Sequence, residues 1–111
     1  MRFLPILALS AGLLALPAWA DPVPADKMDY VGAWHGKDMQ LSLSKDGKIR
    51  YKREQEKKKV DLDIELMGFN GNNFDAGWSF MRSTFVVSKP PHREGGKWKM
   101  TVDGVELTRE E

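Results

Sequence analysis

From Lys48 to Leu66 the chain reads KIRYKREQEKKKVDLDIEL, and in both halves charged and apolar side chains alternate. A period of two belongs to an extended strand with one face turned to a core. Taking Lys48–Glu54 and Lys59–Met67 as strands, with Gln55–Lys58 as the turn, sets Glu54 against Lys59, Lys52 against Asp61, Arg50 against Asp63 and Lys48 against Glu65. Every such pair is of opposite charge. On the other face Tyr51 meets Leu62 and Ile49 meets Ile64. A shift of two residues would oppose Lys52 to Lys59, or Glu54 to Asp61. Like charges directly across a ladder repel, so the charges select one register. The basic run is thus half of a neutralised hairpin, and nucleic acid is not a predicted partner.

The same alternation recurs along the chain. Tyr30–His35 reads as a first strand and Met39–Leu43 as a second, followed by a Lys45-Asp46-Gly47 loop that pairs Ser44 with Lys48. That pairing opposes Leu43 to Ile49 and Leu41 to Tyr51. Turn formers fill Gly68–Asn73. Phe74, Ala76, Trp78 and Phe80 share one face of the next strand, whereas Phe85 and Val87 fit the opposite phase; a bulge or strand break near Met81 or Arg82 is expected. The two prolines and two glycines of Lys89–Gly96 predict a long loop. Trp98, Met100 and Val102 alternate before Asp103-Gly104, a type I′ turn signal that places Met100 opposite Leu107 and Arg109 opposite Trp98. The sum is an all-β domain over 29–111: a single antiparallel meander of about eight short strands, curled into a closed or partly open barrel.

Residues 1–20 read as an address. A weakly positive start, an apolar run from Phe3 to Leu16, Pro17 and the small-x-small Ala18-Trp19-Ala20 predict a signal peptide cleaved after Ala20. Residues 21–28, with two prolines, are expected to form a flexible leader. Of 17 basic and 16 acidic residues, Arg2 leaves with the signal, so the remaining charges balance. The chain has no cysteine, so neither disulfides nor a lipid-bearing cysteine is expected. These features predict a secreted, periplasmic protein with no stable membrane insertion after cleavage.

Gly32-Ala33-Trp34 resembles the G-x-W signature of lipocalins and related calycins. The resemblance implies a tryptophan that plugs the closed end of a barrel and an arginine of the last strand packed across it, a position that Arg109 matches. It also implies a small apolar ligand. In size, class and location the chain resembles the small periplasmic lysozyme inhibitors, although it lacks their disulfide and their serine- and glycine-rich loop. The segment PPHREGGKWKMTVDGVELTR resembles a family of bacterial secreted proteins to which no activity attaches.

No catalytic residues are predicted. Ser79, Ser83 and Ser88 lack a nucleophile frame, and the acids of the ladder face solvent. His35 and His92 are too few for a zinc site, and no HxH, HExxH or CxxC spacing is present, so no metal and no other cofactor is expected. Candidate binding residues are Tyr51 and Arg53, which continue the inward face of the third strand, and His92 and Arg93 in the proline loop. Trp34, Trp98 and Arg109 are assigned to structure, and Trp78 to the core. The predicted activity is binding: either of an envelope protein, in the manner of an inhibitor or immunity-like partner, or of a small apolar ligand.

Overall fold

Alternation of apolar and polar residues becomes nine strands in the computed structural model, which describes residues 20–111; the predicted signal segment lies outside the described residues apart from Ala20. The strands are β1 (Gly32–Gly36), β2 (Met39–Leu43), β3 (Lys48–Gln55), β4 (Lys58–Asn70), β5 (Asn73–Trp78), β6 (Met81–Phe85), β7 (Val87–Glu94), β8 (Lys97–Val102) and β9 (Val105–Arg109). All pairings are antiparallel, and the single sheet runs β6-β5-β4-β3-β2-β1-β9-β8-β7, curled into a half-barrel. Its two edges, β6 and β7, are consecutive in the chain and joined by Val86 alone. The Asp103 N–H donates to the Val86 carbonyl at 2.7 Å, and the Val86 N–H donates to Asp103 Oδ1 at 2.9 Å. These bonds draw the β8–β9 turn against the junction of the two edges.

The charged hairpin has the expected register, with Glu54 opposite Lys59, Lys52 opposite Asp61, Arg50 opposite Asp63 and Lys48 opposite Glu65. Its strongest contact is diagonal. Arg50 donates from Nε to Asp61 Oδ1 at 3.0 Å and lies 3.4 Å from the directly opposed Asp63. Beneath this ladder Ile49, Ile64, Tyr51 and Leu62 face the core. Leu43–Ile49, Leu41–Tyr51 and Met100–Leu107 also pair as the alternation requires. Asp103 (φ 49°) and Gly104 (φ 81°) supply the two positive angles of a type I′ turn.

Sixteen apolar residues are buried and no polar residue is, among those described. Trp34, Leu41, Leu66, Phe74, Val102 and Leu107 are nearly inaccessible. Each such burial stabilises the fold by roughly 1.5–3 kcal/mol before chain entropy is subtracted. A run of aromatic contacts crosses the core: Phe69 to Tyr30 at 5.0 Å, Tyr30 to Phe74 at 6.3 Å, Phe74 to Phe85 at 4.9 Å and Phe85 to Tyr51 at 5.1 Å. Tyr30 is also bonded at its rim, its hydroxyl donating to the Asn72 carbonyl at 2.9 Å, and burial holds that hydroxyl above its usual pKa.

Three expectations are corrected. Residues 21–28 are not a loose leader: Asp21 N–H donates to the Leu66 carbonyl, Val23 N–H donates to the Lys45 carbonyl, Val23 is buried, and a 3-10 helix (Ala25–Tyr30) leads into β1. Lys89–Gly96 is not a long loop. Its first six residues belong to β7, and Gly95-Gly96 make a two-residue turn to β8. Pro90 and Pro91 are tolerated because β7 is an edge strand and its pairing with β8 is interrupted between Lys89 and His92, so the missing N–H groups fall on the open side or in the irregularity. Of the two alternatives for the change of parity the structure has the strand break, a hairpin turn at Ser79-Phe80 with Trp78 opposite Met81 and Phe74 opposite Phe85. Trp78 therefore ends its strand half-exposed instead of entering the core, and Phe80 stands in solvent.

Two outcomes follow from this packing. Phe74→Ala should lower unfolding free energy by about 3–5 kcal/mol in chemical denaturation, whereas Phe80→Ala should change it by less than about 0.5 kcal/mol. The hydrogen bond from Arg50 holds the Asp61 carboxyl below its usual pKa. Its stabilising effect is therefore present above the ordinary carboxylate range and lost as pH falls through the lowered value. Arg50→Ala should raise the Asp61 titration midpoint, read by carboxyl NMR; an unmoved midpoint would refute the diagonal pair.

Candidate functional site

At Trp78 strand β5 stops, while β3 and β4 run on beside it. The inward face there loses its cover, and an open groove of about 310 Å³ is left. Tyr51, Leu62, Ile64, Trp78, Met81 and Phe85 form its apolar lining, with Arg82, Ser83, Thr84 and Asp103 as polar members. Direct opposition of Trp78 to Met81 and of Ala76 to Ser83 puts the side chains of β5 and β6 on that one face. On the reverse face Thr84 Oγ1 donates to Asp75 Oδ1 at 2.7 Å and Arg82 Nε donates to Asp75 Oδ2 at 3.0 Å. Those two donors, the threonine first, hold the Asp75 carboxyl below its usual pKa and brace the hairpin from behind.

The hairpin tip carries an unusual surface. Trp78 is 44% exposed, Met81 48% and Phe80 88%. With Met28 and Val86 they are the large apolar side chains left exposed among the described residues. Three of the five thus lie within four consecutive positions. Clustering beside a groove sets these three apart from singly scattered apolar residues, which need no explanation.

Of the predicted binding residues, Tyr51 lines the groove, its ring edge-on to Phe85. Arg53 lies two positions further along β3, opposite Met39 and Val60, and faces a polar depression beside Lys37, Asp38 and Glu54. Among the described residues it forms no ion pair. His92 and Arg93 lie on β7, away from this groove. His92 Nδ1 donates to the Pro90 carbonyl at 2.8 Å and Nε2 lies 3.2 Å from Glu94. The carbonyl first, then Glu94, raise the imidazole pKa. Arg93 lies over the Trp98 ring and donates to the Gly96 carbonyl, so it packs its own hairpin.

Trp34, Trp98 and Arg109 form a second constellation. The Arg109 guanidinium lies 5.0 Å from the Trp98 ring centroid and 5.7 Å from that of Trp34, while Trp34 Nε1 donates to the Tyr30 carbonyl at 2.9 Å. Gly32 makes room for this stack. Its φ is +142°, and a Cβ there would come within 2.6 Å of Arg109 Cδ. Glycine two residues before Trp34 is thus what lets the arginine stem cross the strand.

The groove offers apolar walls, with three hydroxyl-bearing residues, one guanidinium and one carboxylate around them. Among the described residues no three His, Asp or Glu side chains gather as metal ligands. No described helix is long and apolar enough to cross a membrane. The exposed hairpin was not anticipated from the sequence: Trp78 and Phe80 continue the alternation of Phe74 and Ala76, and the Ser79-Phe80 turn contains no glycine, asparagine or proline. The chain matches no protein-family model, no curated protein and no solved structure.

Replacing Gly32 by alanine should cost about 1–3 kcal/mol from the strained backbone alone, and it should push Arg109 off Trp34. Tryptophan fluorescence and thermal denaturation read both effects; an unchanged spectrum and midpoint would contradict the role of Gly32.

Proposed function

We propose that this protein is a secreted, periplasmic, non-catalytic binding protein, and that it works as a protein-interaction module toward an envelope protein, in the manner of an inhibitor or immunity-like partner. The observation that carries the reading is the Trp78–Met81 hairpin, which holds two aromatic side chains and a methionine out of a well-filled core beside an apolar groove. Aromatic residues and methionine are enriched in the centres of protein interfaces, where they give large contact area at low entropic cost. Exposing them serves no purpose in folding.

A second reading, a lipocalin-like carrier of a small apolar ligand, uses the same groove. Two observations favour it: Arg109 packs across Trp34 as the G-x-W resemblance implies, and the groove lies at the lower end of the roughly 300–1,000 Å³ of small-molecule sites.

Native mass spectrometry of the protein isolated from envelope extract, beside its Trp78→Ala variant, separates the two. A stoichiometric protein that departs when Trp78 is truncated supports the first reading. A bound lipid or other apolar small molecule that departs on the same change supports the second. Wild-type protein carrying neither would overturn both.

A further inference from the structure

The two edges of the sheet are finished differently. β7 carries Pro90 and Pro91, which have no N–H, and its pairing with β8 shifts register twice. Such an edge refuses a further strand. β6 contains no proline and pairs with β5 without any shift. The two-residue turn makes Trp78 and Met81 a hydrogen-bonded pair, so Met81, Ser83 and Phe85 turn their backbone groups toward β5 and the residues between turn theirs outward. Val86 has the outward parity, and its N–H and C=O are taken by Asp103. The matching groups of Arg82 and Thr84 have no partner among the described residues. The free edge is therefore a short stretch, bounded by a turn at one end and by Asp103 at the other.

Its sequence reads nearly the same in chemical terms from either end. Phe80-Met81-Arg82-Ser83-Thr84-Phe85-Val86 is apolar, apolar, polar, small, polar, apolar, apolar. We propose that the free edge of β6 takes β6 of a second copy of this chain, antiparallel about a two-fold axis at Ser83. Arg82 then lies opposite the partner's Thr84, and the outward backbone groups of each satisfy those of the other. Met81 lies opposite the partner's Phe85, and the ladder ends there, since Phe80 belongs to the turn and the backbone groups of Val86 are held by Asp103. Self-complementarity of this kind is what a two-fold interface requires.

The neighbouring symmetric registers are closed. Moving the axis to Arg82 opposes two guanidinium groups, which repel. Moving it to Thr84 brings Arg82 onto Val86, whose backbone groups Asp103 already occupies. An axis normal to the sheet also keeps both inward faces on one side, so the two apolar grooves abut across the Ser83 pair. This inference goes beyond the partner reading and does not depend on it.

The interface is small beside the roughly 1,200–2,000 Å² of stable complexes, so dimerisation should be reversible and concentration-dependent. The chain has no cysteine, which gives a clean test. Ser83 opposite Ser83 is a non-hydrogen-bonded pair with Cα atoms about 4.5 Å apart, within the range that a disulfide spans. Under mild oxidation Ser83→Cys should form a disulfide dimer at least about tenfold faster than Lys57→Cys, which is exposed on another turn. Sedimentation should show Ser83→Lys as a monomer, and mixing it with Ser83→Asp should restore a heterodimer. Equal crosslinking of the two cysteine variants would overturn the proposal, as would a Ser83→Lys protein that assembles like the wild type. A purified chain that stays monomeric while β6 captures an extended segment of another protein would overturn it equally.

Discussion

The structure depends on the register of one hairpin. β3 and β4 are the central pair of the β1–β6 half of the sheet, and their side chains build both the core and the groove. A slip of one residue would turn Ile49, Tyr51, Leu62 and Ile64 outward and bring lysines and aspartates inward. The apolar face forbids that slip, but it is indifferent to a slip of two. The charges make the second decision. Exposed pairs of this kind contribute little to stability, and their larger effect is to penalise the alternatives. In the final geometry Arg50 reaches diagonally to Asp61 as well as across to Asp63, so the charges act as a lattice and not as isolated rungs.

Closure of the half-barrel depends on different chemistry. β1 and β9, the first and last strands, pair with each other, and Arg109 lies between Trp34 and Trp98 across that seam. At the opposite side β6 passes into β7 through one residue, pinned by Asp103. With no disulfide available, the chain uses a cation between two indoles inside the sheet and a carboxylate on a backbone amide where its two edges meet. The remaining weak margin is β6, and there the chain leaves its aromatic hairpin exposed.

Much of this architecture was legible in the sequence because strands, turns and charges agreed. The Lys48–Glu65 pairing, the Ser44–Lys48 closure, the Asp103-Gly104 turn and the approach of Arg109 to Trp98 all follow from local alternation and turn chemistry. Where the reading failed, position in the sheet overrode composition. Pro90 and Pro91 argue against a strand unless it is an edge, and edges are a tertiary fact. Val23 and Asp21 look unconstrained until Leu66 and Lys45 present carbonyls to them. The candidate site was half legible. Tyr51 was placed on the inward face, yet the turn at Ser79-Phe80 lacks the usual residues, so Trp78 and Phe80 were indistinguishable from core.

A consistent relation links fold to proposed action. The face that builds the core runs past the end of β5, so the proposed binding surface is the same apolar face where its cover stops. Fold and groove therefore share one register. The most direct measurement is the set of cross-strand Hα–Hα contacts in the β3–β4 hairpin by NMR. Close contacts joining Lys52 to Asp61 and Arg50 to Asp63 are what the account predicts; contacts joining Lys52 to Lys59 or to Asp63 would contradict it.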